Sequence, residues 1–257
     1  MTLAEAFELK DREVISLVGG GGKTTLMFSW GRELASCRRG VILTTTTKIW
    51  EPEPSPDILS FVSQDFSILR EWILGHLSSS PCLLVARARL ASGKLDGIPP
   101  EWVEAIIQIP GVTCILAEAD GAKGYSLKAP REGEPVVPLH TTLLVPVVGI
   151  DALGCPLDED HVFRWKLAME ILQEPEGTIL NEEMICRLLA ETLKECPEGV
   201  RVIPFINKID SPNDLERGRK LGQALLQIPG QEIKRVVLGQ AQKVPVVKEV
   251  IPRNLNP

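Results

Sequence analysis

The sequence has little of what several functional classes require. It carries three histidines, and its six cysteines (Cys37, Cys82, Cys114, Cys155, Cys186 and Cys196) include no C-x-x-C pair and no neighbouring histidine at ligand spacing, so a zinc site has no support. Cys82 and Cys114 fall in the apolar runs PCLLVA and TCILAEA, where a reduced thiol serves as a small hydrophobe. No Ser-His-Asp or Cys-His arrangement stands out for nucleophilic catalysis. Runs of Lys and Arg are missing too, and a formal charge of -6 gives no electrostatic draw towards nucleic acid or an anionic membrane, so neither is expected as a partner. No apolar stretch approaches the roughly 20 residues of a membrane helix. The opening MTLAEAFELKDREV lacks the basic start and apolar core of a signal peptide, and the expected location is the cytoplasm. Internal repeats and low-complexity tracts are absent.

What is there suits a folded α/β protein. With 257 residues, 44% of them hydrophobic, the chain can bury one substantial core. Apolar β-rich runs at Val14 to Val18, Val41 to Leu43, Cys82 to Ala86, Val112 to Ala117, Thr142 to Val148, Val200 to Ile206 and Val236 to Leu238 are mostly continuous, as in strands covered on both faces. Helical patterns lie between them: Thr24 to Ser36, Phe66 to Leu77 behind Asp65, Pro100 to Ile109, His161 to Leu172, Glu182 to Glu195 behind Asn181, and Leu215 to Leu226. The alternation predicts one domain over 1–257, a three-layer sandwich with a mainly parallel sheet, and the GGGGKTT stretch at Gly19 to Thr25 makes the expected domain P-loop NTPase-like. Two successive helices interrupt the alternation and predict a small helical insertion over 155–198.

Four stretches carry chemistry. In VISLVGGGGKTT, Val14 to Thr25, a strand feeds four glycines and then a helix, an arrangement that turns backbone N–H groups and the helix dipole onto a phosphate. Leu17 stands where a Walker A loop has its first glycine. Gly19, Gly20, Gly21 and Gly22 with Lys23, Thr24 and Thr25 instead fill a shorter pattern, G-x-x-G-K-T-T, similar to the loop of amide-forming Mur ligases. Val18 occupies the place of the extra lysine of partition ATPases. Lys23 would neutralise phosphate charge and Thr24 would bind Mg²⁺. In CILAEADGAKG, Cys114 to Gly124, an apolar strand ending in Glu118 and Asp120 has the form of a Walker B element: Asp120 is the expected metal carboxylate, and Glu118 a general base or a partner behind the metal. Lys123 and Lys128 follow, placed to meet an anionic substrate or the γ-phosphate. In VILTTTTKIW, Val41 to Trp50, Thr46, Thr47 and Lys48 end a strand and would face the same sheet edge as the glycines. In VIPFINKID, Val202 to Asp210, Asn207, Lys208 and Asp210 match the N-K-x-D element with which GTPases read guanine, although the short loop's nearest analogue uses ATP. Asp151 sits in a Gly-flanked turn of VVGIDALG, and DEDHVFRWK puts His161 and Arg164 at helical i, i+3 spacing, with Arg164 a substrate clamp.

In their order, LVGGGGKTT, TTTTKIW, EADGAKGYSLKAP, VVGIDALG and NKID resemble the YqeC family over nearly the whole chain, Leu3 to Val247. HVFRW departs from the family's His-Arg-Pro run. The resemblance implies an accessory protein in maturation of selenium-dependent molybdenum hydroxylases, also described as a selenium cofactor biosynthesis protein, with such a hydroxylase or its cofactor as partner. The expected activity is Mg²⁺-dependent binding and hydrolysis of ATP or GTP. Alternatives are phosphoryl transfer or Mur-like ligation on a small anionic substrate, and a nucleotide-regulated chaperone without chemistry of its own.

Overall fold

A computed structural model describes residues 1–37, 40–80 and 82–253. The chain opens with a single helical turn, α1 (Leu3–Ala6), closed by a capping box between Thr2 and Glu5. Then come β1 (Glu13–Gly19), α2 (Lys23–Ser36), β2 (Gly40–Thr45), β3 (Lys48–Trp50), β4 (Leu59–Val62), α3 (Phe66–His76), β5 (Cys82–Ala86), β6 (Ala88–Arg89), β7 (Lys94–Asp96), α4 (Pro100–Ile107) and β8 (Val112–Glu118). The second half runs β9 (Leu127–Lys128), β10 (Leu143–Gly149), β11 (Val162–Phe163), α5 (Trp165–Leu172), α6 (Glu182–Leu193), β12 (Arg201–Val202), β13 (Phe205–Asn207), α7 (Pro212–Leu225), β14 (Arg235–Gly239) and β15 (Val247–Pro252).

The main sheet has the order β15-β14-β13-β10-β1-β8-β2-β5-β4, with β12 also beside β10. Its ladders are parallel except for the β14–β15 edge. Strand periodicity sorts the core into layers. Ile15 and Leu17 of β1 pack with Leu26, Met27 and Leu34 of α2 on one face. Val14 points to the other face among residues of α3 and α4, and Val18 joins α5, α6 and α7 there. This is the mixed α/β architecture that the alternating runs predict. Leu17, fully buried, is simply strand.

Some elements depart from expectation. The run Val200 to Ile206 is two short strands, because Pro204 has no N–H for the ladder. β4, β15 and a small antiparallel sheet in the order β3-β7-β6 have no counterpart among the expected strands. The helix expected from His161 to Leu172 starts only at Trp165: Val162 and Phe163 pair with Leu127 and Lys128, and Arg164 is a left-handed N-cap with φ 63°. His161 and Arg164 therefore share no helix face. Among the described residues, no helix is long and apolar enough to cross a membrane.

Candidate functional site

The chain runs from β1 to the β2 side of the sheet, returns in β8, then crosses to β10 on the other side of β1. Such a reversal leaves a crevice at the carboxyl ends of the strands, and the glycine loop lies there. Its packing explains the glycines. At Gly21, φ is 79° and a Cβ would stand 2.2 Å from the Gly149 nitrogen; at Gly20, one would stand 2.7 Å from the Tyr125 carbonyl oxygen. The loop amides are largely engaged: Gly19 N–H donates to Asp120 Oδ2 (2.8 Å), Gly20 N–H to Val147 O (2.9 Å) and Gly21 N–H to Tyr125 O (2.8 Å). Gly22 is the N-cap of α2 and offers no side chain, so the donors left facing outward are those of the first helical turn, from Lys23 to Thr25.

Behind the loop lies a chain of alternating charges. Lys23, 4% exposed, donates to Gly19 O (2.6 Å) and stands 3.1 Å from Asp120 Oδ1 and 3.6 Å from Glu118 Oε1. Asp120 Oδ2 also meets Lys128 Nζ at 2.8 Å, Lys128 reaches Glu134 at 2.9 Å, and Arg164 grips Glu134 with two bonds of 2.7 and 2.8 Å. Three carboxylates, Glu118, Asp120 and Glu134, thus interleave with three cations, Lys23, Lys128 and Arg164. Burial disfavours the Lys23 ammonium, but Asp120 and then Glu118 outweigh it and its pKa is raised. Burial pushes the Glu118 carboxyl up, against the opposing pull of Lys23 and the Thr24 hydroxyl. At Glu134, burial acts upward but is overcome by the hydrogen bonds from Arg164 and Lys128, which hold the carboxyl down at about 2.

Several candidate residues occupy places the motifs did not foretell. Thr24 Oγ1 donates to Glu118 Oε2 at 2.5 Å; the carboxylate beside the helix hydroxyl is Glu118, while Asp120 sits deeper and ties Lys23 to Lys128. Lys128 is 2% exposed and committed to two carboxylates, and Arg164 is committed to Glu134, so neither offers a free charge to a substrate. Thr46 spends its hydroxyl on Val136 O (2.7 Å), Thr47 faces Thr45, and Lys48 lies exposed on β3 opposite Asp96. Asn207 is buried: its Nδ2 donates to Gly21 O (2.6 Å) and its Oδ1 accepts from Ala241 N–H (2.9 Å), so it braces the loop from β13. Lys208 Nζ reaches Ser126 Oγ (2.6 Å) and Asp151 (2.7 Å), and Asp210 accepts from Gln240 and Lys243, both at 2.6 Å.

Two cavities flank the loop. One, of about 370 Å³, is lined by Lys123, Tyr125, Ser126, Asp151, His161 and Lys208 among others. His161 Nδ1 lies 2.6 Å from Asp158, and Lys123 sits 5.3 Å above the Phe163 ring. The other, of about 430 Å³, runs from Thr24 and Thr25 along α2 between Trp50 and Ala241–Gln242. Sequence reasoning missed Glu134, because a glutamate in REGEP reads as exposed loop, and it missed Ser126 and Trp50. Lys123, Arg164 and Lys208 have φ of 49°, 63° and 66°, three of the five non-glycine residues with positive φ among those described. Such strain is enriched around working sites, but no sequence pattern announces it.

Two crystal structures of FtsY from Mycoplasma mycoides are similar to this chain at 12% and 10% identity, matching 97% and 98% of it and 67% and 71% of their own chains, with TM-scores of 0.31 and 0.30. A likeness that weak bears on neither the site nor its chemistry. A protein of Escherichia coli (strain K12), described as uncharacterized protein YqeC, is 30% identical over 237 residues, 91% of this chain and 90% of its own length. The family described as YqeC protein matches residues 15–166, which span the glycine loop, Glu118, Asp120, Glu134 and Arg164. The chain belongs to the YqeC family.

Proposed function

We propose that the chain binds a nucleoside triphosphate with Mg²⁺ at the carboxyl ends of β1 and β8 and hydrolyses it. The observation that carries this reading is Lys23: a buried ammonium held by Asp120 and Glu118 at the uncapped start of a 14-residue helix, directly behind a glycine loop. The N–H groups from Lys23 to Thr25 and the helix dipole favour an anion at that end, and Lys23 would exchange its bond to Gly19 O for a phosphate oxygen. The donor set suits Mg²⁺. Thr24 and Glu118 bring hard oxygen atoms together at 2.5 Å, and among the described residues no group of three or more His, Cys, Asp or Glu would hold a metal by itself. Mg²⁺ commonly takes its remaining ligands from phosphate and water. When bound, the metal would draw charge from the phosphates; Lys23 would neutralise charge developing on the transferred group, and Asp120 would keep Lys23 aimed.

Asn207 at the end of β13 and Asp210 on the loop after it support a base bound on that side, with GTP favoured by the N-K-x-D pattern. Calorimetry with Mg·ATP and Mg·GTP tests the reading. Lys23→Ala is expected to weaken binding at least about 100-fold, the scale of losing a charge-assisted contact in a buried site, and undiminished affinity would overturn it. The cavity beside the loop, with Lys123 and Lys208 on its wall, favours a second reading in which the phosphoryl group passes to a small anionic acceptor. Labelled γ-phosphate recovered on an acceptor instead of as free phosphate would decide for it. The family resemblance gives either activity a destination, the maturation of selenium-dependent molybdenum hydroxylases. Nucleotide-dependent capture of such an apo-hydroxylase by the chain tests that part.

A further inference from the structure

The cavity that begins at Thr24 and Thr25 has an aromatic wall that no part of the phosphate chemistry requires. Trp50 is a large hydrophobic side chain left 64% exposed, and it lines this cleft with Phe28, Arg32, Glu51 and Gln242. An exposed tryptophan on a loose loop would mean little, but this one is held firmly. It ends β3, where it pairs with Lys94 of β7, and the Lys94 ammonium lies 4.8 Å from its ring centroid, covering one side of the indole. Glu51, the next residue, is tied to Arg89 by a 2.8 Å ion pair. The opposite wall is equally fixed: Ala241 donates its N–H to Asn207 and accepts from Ser29 Oγ of α2 at 2.6 Å.

The geometry points to this cleft as the nucleoside site, with a purine base stacked on the uncovered side of Trp50 and bounded by Ala241 and Gln242. This rests on the triphosphate reading of the glycine loop and extends it along α2. The phosphate end is set by Thr24 and Thr25, which belong both to the helix start and to the cleft; a nucleotide anchored there runs outward between the two walls. Base–aromatic stacking tolerates different bases because each has a π-face, and a purine covers more of an indole than a pyrimidine does. Trp50 would thereby set the preference for purine over pyrimidine, and the polar edges of Arg32, Glu51 and Gln242 would face the base rim.

The test is calorimetric and compares Mg·ATP, Mg·GTP, Mg·CTP and inorganic tripolyphosphate on wild type, Trp50→Ala and Trp50→Phe. Trp50→Ala is expected to weaken both purine nucleotides about tenfold or more, to weaken CTP less, and to leave tripolyphosphate within about twofold; Trp50→Phe, which keeps an aromatic face, should stay within about threefold of wild type throughout. Unchanged purine affinity in Trp50→Ala, or an equal loss for tripolyphosphate, overturns the stacking role while the phosphate site stands. If wild type binds neither tripolyphosphate nor any nucleotide, the triphosphate reading falls and this inference with it.

Discussion

Replacing Lys128 by methionine interrupts the chain of charges at its centre. Its Nζ lies 2.8 Å from Asp120 and 2.9 Å from Glu134, and the residue is 2% exposed. At those separations each contact gives about 6 kcal/mol of Coulomb attraction with an effective dielectric of about 20. Against this stands the cost of keeping an ammonium out of water, several kcal/mol, which methionine does not incur. Methionine fills most of the lysine stem's volume, so the loss comes from leaving three buried carboxylates to Lys23, Arg164 and the exposed Arg131, with Asp120 deprived of one of its two cations, and about 3–5 kcal/mol of stability should disappear. Urea unfolding should show it as a midpoint lowered by about 1 M or more, with an unchanged slope of about 3 kcal/mol per M. Adding Glu134→Gln restores the balance of charge, so the double variant should lose at least about 1 kcal/mol less than the sum of the two single losses. A Lys128→Met loss under about 1 kcal/mol, or strict additivity in the double variant, would refute the view that these side chains act as one network.

The sheet was legible in the sequence because its central strands are buried on both faces. Val14 to Val18 and Val112 to Ala117 are continuous apolar runs, and each is a parallel strand next to the other. The edges were less legible: β4 has two exposed and two half-buried positions, and β15 pairs on one side only, so neither carries the full apolar signal. The glycine loop could be placed because the strand, the glycines and the Lys-Thr helix start occur together. What spacing could not convey was which acidic residue meets which base. Asp120 was the expected metal carboxylate and Glu118 a general base or a partner behind the metal, yet it is Glu118 that meets Thr24, while Asp120 takes two lysine contacts. Arg164 shows the limit most plainly. A helical pattern from His161 had an arginine on one face, yet the backbone turns left-handed there to let the guanidinium reach Glu134, 30 residues earlier. That is a tertiary contact overriding local periodicity, and only the folded chain displays it.

Acid should expose the Glu134 contacts selectively. Its carboxyl is held at about 2, below the ordinary 4.5, so its contribution is present above about pH 4.5 and is lost as the pH falls towards 2, the unfolded chain binding the proton first. The stability difference between wild type and Glu134→Gln, measured by urea unfolding, should hold from about pH 6 to about pH 5 and then shrink towards pH 3, and a difference that stays constant down to pH 3 would count against the contact. Two positive-φ glycines, Gly21 in the glycine loop and Gly124 in the segment after β8, offer a contrast. At Gly124, with φ 89°, an added methyl group would have nothing within 4 Å, whereas at Gly21, with φ 79°, it would stand 2.2 Å from the Gly149 backbone. Gly124→Ala should therefore cost only the backbone strain, about 1 kcal/mol. Gly21→Ala adds a collision with backbone that cannot rotate aside, since Gly149 is itself fixed by a 3.0 Å bond from its N–H to Ser126 O. A loss of about 3 kcal/mol or more is expected, and because the loop must move to admit the methyl, tripolyphosphate affinity should fall with it. Equal costs at the two positions would mean that the loop is not clamped between β10 and the Tyr125–Ser126 segment. The four glycines would then report chain flexibility instead of close packing around a binding site.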